Sequence, residues 1–217
     1  MGRRDRSIFG HLGFTFFITT TVMNFDHIFG CGEQYYYILL NSLQHMLQEE
    51  RATLFAYVFM PSHVHLVVHM PVGESISDMM RDFKKYTSTE IRQQLEQDGH
   101  AAWVERLRAN VGKKLPTSLS GRDLPTSQAK RNQVFKLWMD RFDDVVIYNE
   151  QRLRVKIKYI HENPVRAGLV KEPEDWKFSS ARNYTLGDQS LIYVATDWQI
   201  SEMRQEVIPD ATAQVRL

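Results

Sequence analysis

A chain of 217 residues, 43% hydrophobic and 24% charged, is long enough for one globular core with an appended segment. Its formal net charge of +1 excludes affinity for nucleic acid through overall charge, so any such partner needs local basic patches. Cys31 is the only cysteine, which rules out an internal disulfide and a cysteine-rich zinc site. The basic start, Met1 to Arg6, leads into Ile8 to Val22, where His11 and several threonines break the apolar run. That stretch reads as a strand rather than a signal peptide or membrane span, and the expectation is a cytoplasmic protein with no membrane partner.

In chain order, Phe14 to Val22 is β-branched and aromatic, with Phe14, Phe16 and Ile18 alternating against threonines, and predicts a first strand. Asn24 to Gly32 is loop-like. Glu33 to Glu50 places Tyr36, Leu39, Leu40, Leu43, Met46 and Leu47 at helical spacing. Thr53 to Met60 and His63 to Met70 are two strands separated only by Pro61-Ser62. This β-α-β-β order predicts an α+β fold, an antiparallel sheet with helices on one face. Ser75 to Gln97 is the next helix, with Ser75 and Ser77 as candidate caps and Arg81, Lys84, Lys85 and Arg92 along it. Asp98 to Asn132 reads as an inserted loop: Trp103 to Ala109 suits a short helix, while Gly112 to Gln128 is rich in Lys, Ser, Thr, Gly and Pro. Phe135 to Ile147 predicts a short strand and a turn. Asn149 then caps a helix running to Glu162 and ended by Asn163-Pro164.

Two stretches carry chemistry. On a strand, residues i and i+2 share a face, so His63 and His65 point the same way while Val64 enters the opposite layer. Two imidazoles on a rigid strand form half of a divalent-metal site; equally, they suit partly exposed histidines at a strand end. In the helix after Asn149, Leu153, Ile157 and Ile160 form the core stripe. At about 100° per residue, Tyr159 and Asn163 lie away from that stripe and one turn apart, with Arg152 on their side and Arg154, Lys156 and Lys158 around the helix. A phenol, an amide oxygen and basic groups suit phosphate chemistry: a nucleophile, an oxygen ligand for a hard cation, and contacts for a phosphate backbone. A half-packed tyrosine and a helix-end asparagine before proline are the plainer alternative.

Pro61-Ser62-His63-Val64-His65-Leu66 and the run from Tyr159 to Val170, YIHENPVRAGLV, resemble in order and separation the IS200/IS605-type transposases with one catalytic tyrosine, known also as HUH transposases. The resemblance is closer to their REP-associated tyrosine transposase branch, supported by Phe83 to Thr87, Trp138 to Ile147 and Trp176 to Ser180, and it covers about residues 12–184. It implies a ferredoxin-like antiparallel sheet, residues 1–184 as one catalytic domain with an insertion at about 98–132, and residues 185–217 as a C-terminal extension. It implies Mg²⁺ or Mn²⁺ held by His63, His65 and Asn163, and attack by Tyr159 on single-stranded DNA near a hairpin. The product would be a 5′-phosphotyrosine and a free 3′-OH, which can rejoin strands without nucleotide hydrolysis. In the resembling branch the targets are palindromes in repeats beside the gene and the proteins act as monomers, which is the expectation here; the alternative is a homodimer that exchanges the tyrosine helix, as IS200-type relatives do. One departure is Val145, at a position where relatives often carry histidine. His161, about 200° around the helix from Tyr159, is expected to be exposed or a DNA contact.

DNA held through phosphates and stacking gives Arg3, Arg4, Arg81, Lys84, Lys85, Tyr86, Arg152, Lys156 and Arg166 as candidate contacts. The main rival is a DNA-binding or regulatory protein of the same fold without cleavage. A rolling-circle initiator or relaxase shares the histidine pair but places its motifs differently. A small-molecule metal hydrolase leaves Tyr159 without a role.

Overall fold

The computed structural model describes residues 13–49, 51–111 and 134–198. Its four antiparallel strands are β1 (Thr15–Thr21), β2 (Thr53–Met60), β3 (His63–His69) and β4 (Asp143–Ile147), in spatial order β2-β3-β1-β4. Pro61-Ser62 closes the β2–β3 hairpin with Met60 opposite His63. β1 lies between β3 and β4, with Thr21 opposite His63, Thr19 opposite His65 and Phe17 opposite Val145.

Five helices accompany the sheet among the described residues: α1 (Glu33–Gln48), α2 (Ile76–Gln97), α3 (Ala101–Arg108), α4 (Glu150–Arg166) and the short α5 (Ala181–Thr185). None is long and apolar enough to cross a membrane. The antiparallel α+β architecture expected from the sequence is the one found. α1 and α2 share one core with Phe16, Ile18, Val64, Leu66 and Val68, and α4 covers the other face through Leu153, Ile157 and Ile160 against Phe17, Phe55, Val58 and Val67. Helices thus cover both faces of the sheet rather than the one face expected, two on one side and the third on the other. The reason is in the strands. β1 holds Phe16 and Phe17 side by side and β3 holds Val67 and Val68, so both faces carry apolar area to remove from water.

Both expected caps form: Ser75 Oγ accepts from the Asp78 N–H at 3.3 Å and Asn149 Oδ1 from the Arg152 N–H at 2.9 Å. α4 does not stop at Asn163-Pro164 but continues to Arg166 with Pro164 inside it. The proline removes a single N–H, and the helix ends one turn later, where Gly168 takes a φ of 69°. There the Leu169 N–H reaches the Pro164 carbonyl and the Gly168 N–H the Val165 carbonyl, both at 2.9 Å, closing the last turn as a Schellman motif. The extra turn buries Pro164 and places Arg166 on the helix that carries Tyr159.

After α4 the chain returns along β2. Phe59 N–H donates to Phe178 C=O and Ser180 N–H to Tyr57 C=O, both at 2.9 Å, and Ser180 Oγ accepts from the Tyr57 N–H at 3.0 Å. Trp176 Nε1 donates to Phe59 C=O, Tyr184 Oη to Phe55 C=O, and the Ala195 N–H to Leu54 C=O.

Candidate functional site

Strand alternation sends Val64, Leu66 and Val68 into the α1–α2 core and turns His63, His65 and Val67 towards α4. The two imidazole centroids are 4.9 Å apart with planes at 76°. Each ring has a hydroxyl at Nδ1: Ser62 Oγ lies 3.1 Å from that of His63, and Thr19 Oγ1, across the strand pair, 2.8 Å from that of His65. A ring that donates its Nδ1–H to a hydroxyl keeps Nε2 as a free lone pair. Burial, then the charges of His63 and Lys156, bring the pKa of His65 down to about 3. Burial and nearby His27 lower that of His63. Both rings are therefore neutral near pH 7, the form in which imidazole ligates a metal.

Tyr159 flanks the buried stripe of α4, half-buried, and meets the pair. Its ring centroid is 5.3 Å from that of His65 and 5.9 Å from that of Phe17, edge-on to both. Phe17 in turn stacks on His65 at 5.4 Å and 20°. Lys156, one turn before the phenol's neighbour Ile160, sets Nζ 4.2 Å from the Phe17 centroid and 5.8 Å from that of Tyr159. Arg166 brings its guanidinium carbon to 5.7 Å from the Tyr159 ring while pairing with Glu162. Asn163 donates from Nδ2 to the Tyr159 carbonyl at 3.3 Å, which leaves Oδ1 as its outward-acting atom. The fold thus brings together His63, His65, Tyr159, Lys156 and Arg166, with Asn163 one turn along the same helix.

The remaining candidates are placed elsewhere. Arg152 is exposed at the start of α4, two turns from Tyr159. Arg81, Lys84, Lys85 and Tyr86 are on α2, in the layer across the sheet from Tyr159. There Arg81 pairs with Asp78 and Asp82, and Lys84 Nζ donates to the carbonyls of Met139 at 2.8 Å and Arg141 at 2.9 Å. Lys84 therefore anchors the approach to β4. Lys85 lines an open groove with Arg81, Lys84, Arg92 and Trp138, and Tyr86 is half-exposed. Arg3 and Arg4 lie outside the described residues, as do residues 112–132 of the expected insertion and 199–217 of the extension. Val145, 43% exposed and opposite Phe17, is on the site's face of the sheet.

His161 is not exposed. It is half-buried, with Nε2 2.9 Å from Ser180 Oγ and its ring 5.0 Å from that of Tyr184, and burial brings its pKa down to about 4. The returning chain from Trp176 to Tyr184 covers the side of α4 that a helical wheel leaves open. Sequence reasoning also passed over Thr19, Ser62, Phe17 and His27. The threonine alternation of β1 was visible, but only the register with β3 makes Thr19 a partner of His65.

The chain is similar to known proteins in sequence and in fold. Residues 32–110 match the family model described as transposase IS200 like. A curated relative, the REP-associated tyrosine transposase of Escherichia coli (strain K12), is 23% identical over 146 residues, covering 67% of this chain and 64% of that protein. The chain thus aligns with just under two thirds of that relative's length. A solved structure of a REP-associated tyrosine transposase bound to a REP hairpin matches in fold, with a TM-score of 0.53 at 21% identity, covering 88% of this chain and 87% of that one. By sequence motif, family-model match and fold, the chain is similar to the IS200-like transposases and to their REP-associated tyrosine branch.

Proposed function

We propose that this protein cleaves and rejoins single-stranded DNA at hairpin or palindromic, REP-like sequences through a 5′-phosphotyrosine on Tyr159. The observation that carries the reading is the contact of Tyr159 with His65, itself beside His63, although the two elements lie some ninety residues apart in sequence. A tyrosine packed for stability alone has no need of two neutral imidazoles with hydroxyl-held Nδ1 atoms beside it. The substrate class is taken from the related structure, which holds a REP hairpin.

The donor set fits a hard divalent cation. Two neutral imidazoles and an amide oxygen on the adjacent helix make a mixed nitrogen and oxygen donor set. His63 and His65 through Nε2 and Asn163 through Oδ1 are the residues that would hold Mg²⁺ or Mn²⁺. Such an ion, when bound, polarises the scissile phosphate. The chain's own residues do the rest. Tyr159 Oη forms the new bond to phosphorus, the bond to the 3′ oxygen breaks, and that oxygen leaves as a free hydroxyl. Its return to phosphorus releases the tyrosine and rejoins a strand. Lys156 and Arg166, on either side of the phenol, offset phosphate charge in a half-buried setting where it counts for more than in water. Phe17 and Thr19 fix the plane of the His65 ring. α4 docks on its own chain's sheet, an arrangement in which Tyr159 acts in cis; the reading is of a monomer in the cytoplasm.

The test is incubation of the full chain with Mn²⁺ and a hairpin-tailed single strand labelled at either end. A covalent adduct mapped to Tyr159, with a polymerase-extendable 3′-OH on the other fragment, is the expected result. Tight hairpin binding with no adduct under any metal would replace this reading with that of a DNA-binding regulator of the same fold.

A further inference from the structure

The segment between β1 and α1 leaves ordinary backbone at two consecutive residues: Asn24 and Phe25 both have positive φ, 58° and 57°. Asparagine tolerates that region, whereas the bulk of phenylalanine is crowded there. Nothing in the core compensates, because Phe25 is 62% exposed. The conformation is imposed by the surroundings. Asp26 receives a two-pronged pair from Arg106 at 2.8 and 2.7 Å, Asn24 Nδ2 donates to Asn110 Oδ1 at 3.2 Å, and the Met23 N–H donates to Leu137 C=O at 2.7 Å. Contacts from two distant parts of the chain, residues 106–110 and Leu137, hold an apolar ring in solvent, in a backbone state that glycine would adopt more easily. Strain kept in place this way marks use.

Its location suggests which use. Thr21 pairs with His63, the Val22 N–H donates to Ser62 C=O at 2.8 Å, and the Phe29 N–H donates to Pro61 C=O at 3.1 Å. The segment is therefore the neighbour of the Pro61-Ser62 turn, and its exposed His27 lies within electrostatic reach of His63. The contacts form a series: Tyr159 against His65, His65 against His63, and His63 beside the segment that displays Phe25. A nucleic-acid strand with a phosphate between Tyr159 and the imidazoles, continued past His63, would run towards that segment.

We propose that Phe25 is a stacking platform for an unpaired nucleobase flanking the scissile phosphate on the His63 side. This rests on the single-strand cleavage reading and adds to it a place for the flanking strand. Every base has a π face, so the platform is sequence-tolerant, and a ring already fixed by its backbone has little freedom left to lose on stacking.

The experiment uses the full chain in EDTA, with hairpin DNA carrying 2-aminopurine at successive positions of the single-stranded flanks. Quenching at a flank position on one side of the cleavage point is expected in the wild type. Phe25→Gly should abolish it and weaken binding roughly tenfold, Phe25→Trp should retain it, and the melting temperature of Phe25→Gly should be unchanged or raised because glycine relieves the positive φ. Wild-type affinity and quenching in Phe25→Gly would overturn the proposal, as would affinity lost only in step with a fallen melting temperature. A wild type that forms the tyrosine adduct but quenches no flank position would overturn it while leaving the cleavage reading intact. A wild type that binds no hairpin would overturn both.

Discussion

The same strands build two unlike surfaces. On the α1–α2 side, Phe16, Ile18, Val64, Leu66 and Val68 are sealed in a core, and the lysine that looked free in the sequence, Lys84, is committed to two backbone carbonyls. On the α4 side, the alternate residues of the same strands include His63, His65 and Thr19, and the lysine there, Lys156, rests on an aromatic ring beside the candidate nucleophile. One face spends its residues on stability and the other holds polar groups that contribute little to it. Basic residues of similar appearance in sequence take opposite roles according to the face they reach.

The sharpest way to break that contrast is at Tyr159 and His65. Tyr159→Phe keeps the ring and removes the attacking oxygen, so adduct formation on denaturing gels should fall by about 10³-fold or more with an unchanged melting temperature. On the opposite face the pattern should invert. Leu66→Ala, at a fully buried position, should cost about 2–5 kcal/mol in urea unfolding, while the folded fraction at low temperature still forms adduct. A paired test separates the two lysines. Lys84→Met leaves two carbonyls without their donor and should cost about 1–2 kcal/mol of stability with little change in DNA affinity. Lys156→Met should leave stability nearly unaltered but weaken hairpin binding several-fold and reduce its salt slope by about one.

A further effect concerns acid. The pKa of His161 in the fold, about 4, is lower than that of a free imidazole, so below about pH 6.5 the unfolded chain takes up a proton that the folded one does not. That part of the stability is present above the unfolded pKa and is lost as pH falls through the window from about 6.5 to 4. His161→Gln, able to reach Ser180 without titrating, should flatten the decline in melting temperature across the window. An identical decline in the variant would assign the acid sensitivity to other groups, His65 among them.

What could be read from sequence followed from local geometry. The shared face of His63 and His65 needs only the two-residue repeat of a strand. The tight reversal before them needs only Pro61-Ser62, and the caps at Ser75 and Asn149 only residue type and position. The meeting of Tyr159 with His65 is a tertiary fact; the helix period gave its direction, and the family resemblance gave its partner. Asn163-Pro164 reads as a stop, but Gly168 supplies the stronger one a turn later, so sequence alone ends α4 too early. Lys84 and His161 were misjudged for a common reason: the groups that engage them, the carbonyls of Met139 and Arg141 and the hydroxyl of Ser180, are remote in the chain. The positive φ of Phe25 has no local signature at all.

The returning segment alongside β2 has a consequence for association. An outer strand with open N–H and C=O groups is a template on which a second molecule can add its own strand. Here the groups at Phe55, Tyr57 and Phe59 are answered by Trp176, Phe178, Ser180 and Tyr184, and Leu54 by Ala195. Among the described residues, growth of a continuous inter-molecular sheet through β2 is blocked by the protein's own chain, and the sheet edge left for strand-to-strand joining of two copies is β4.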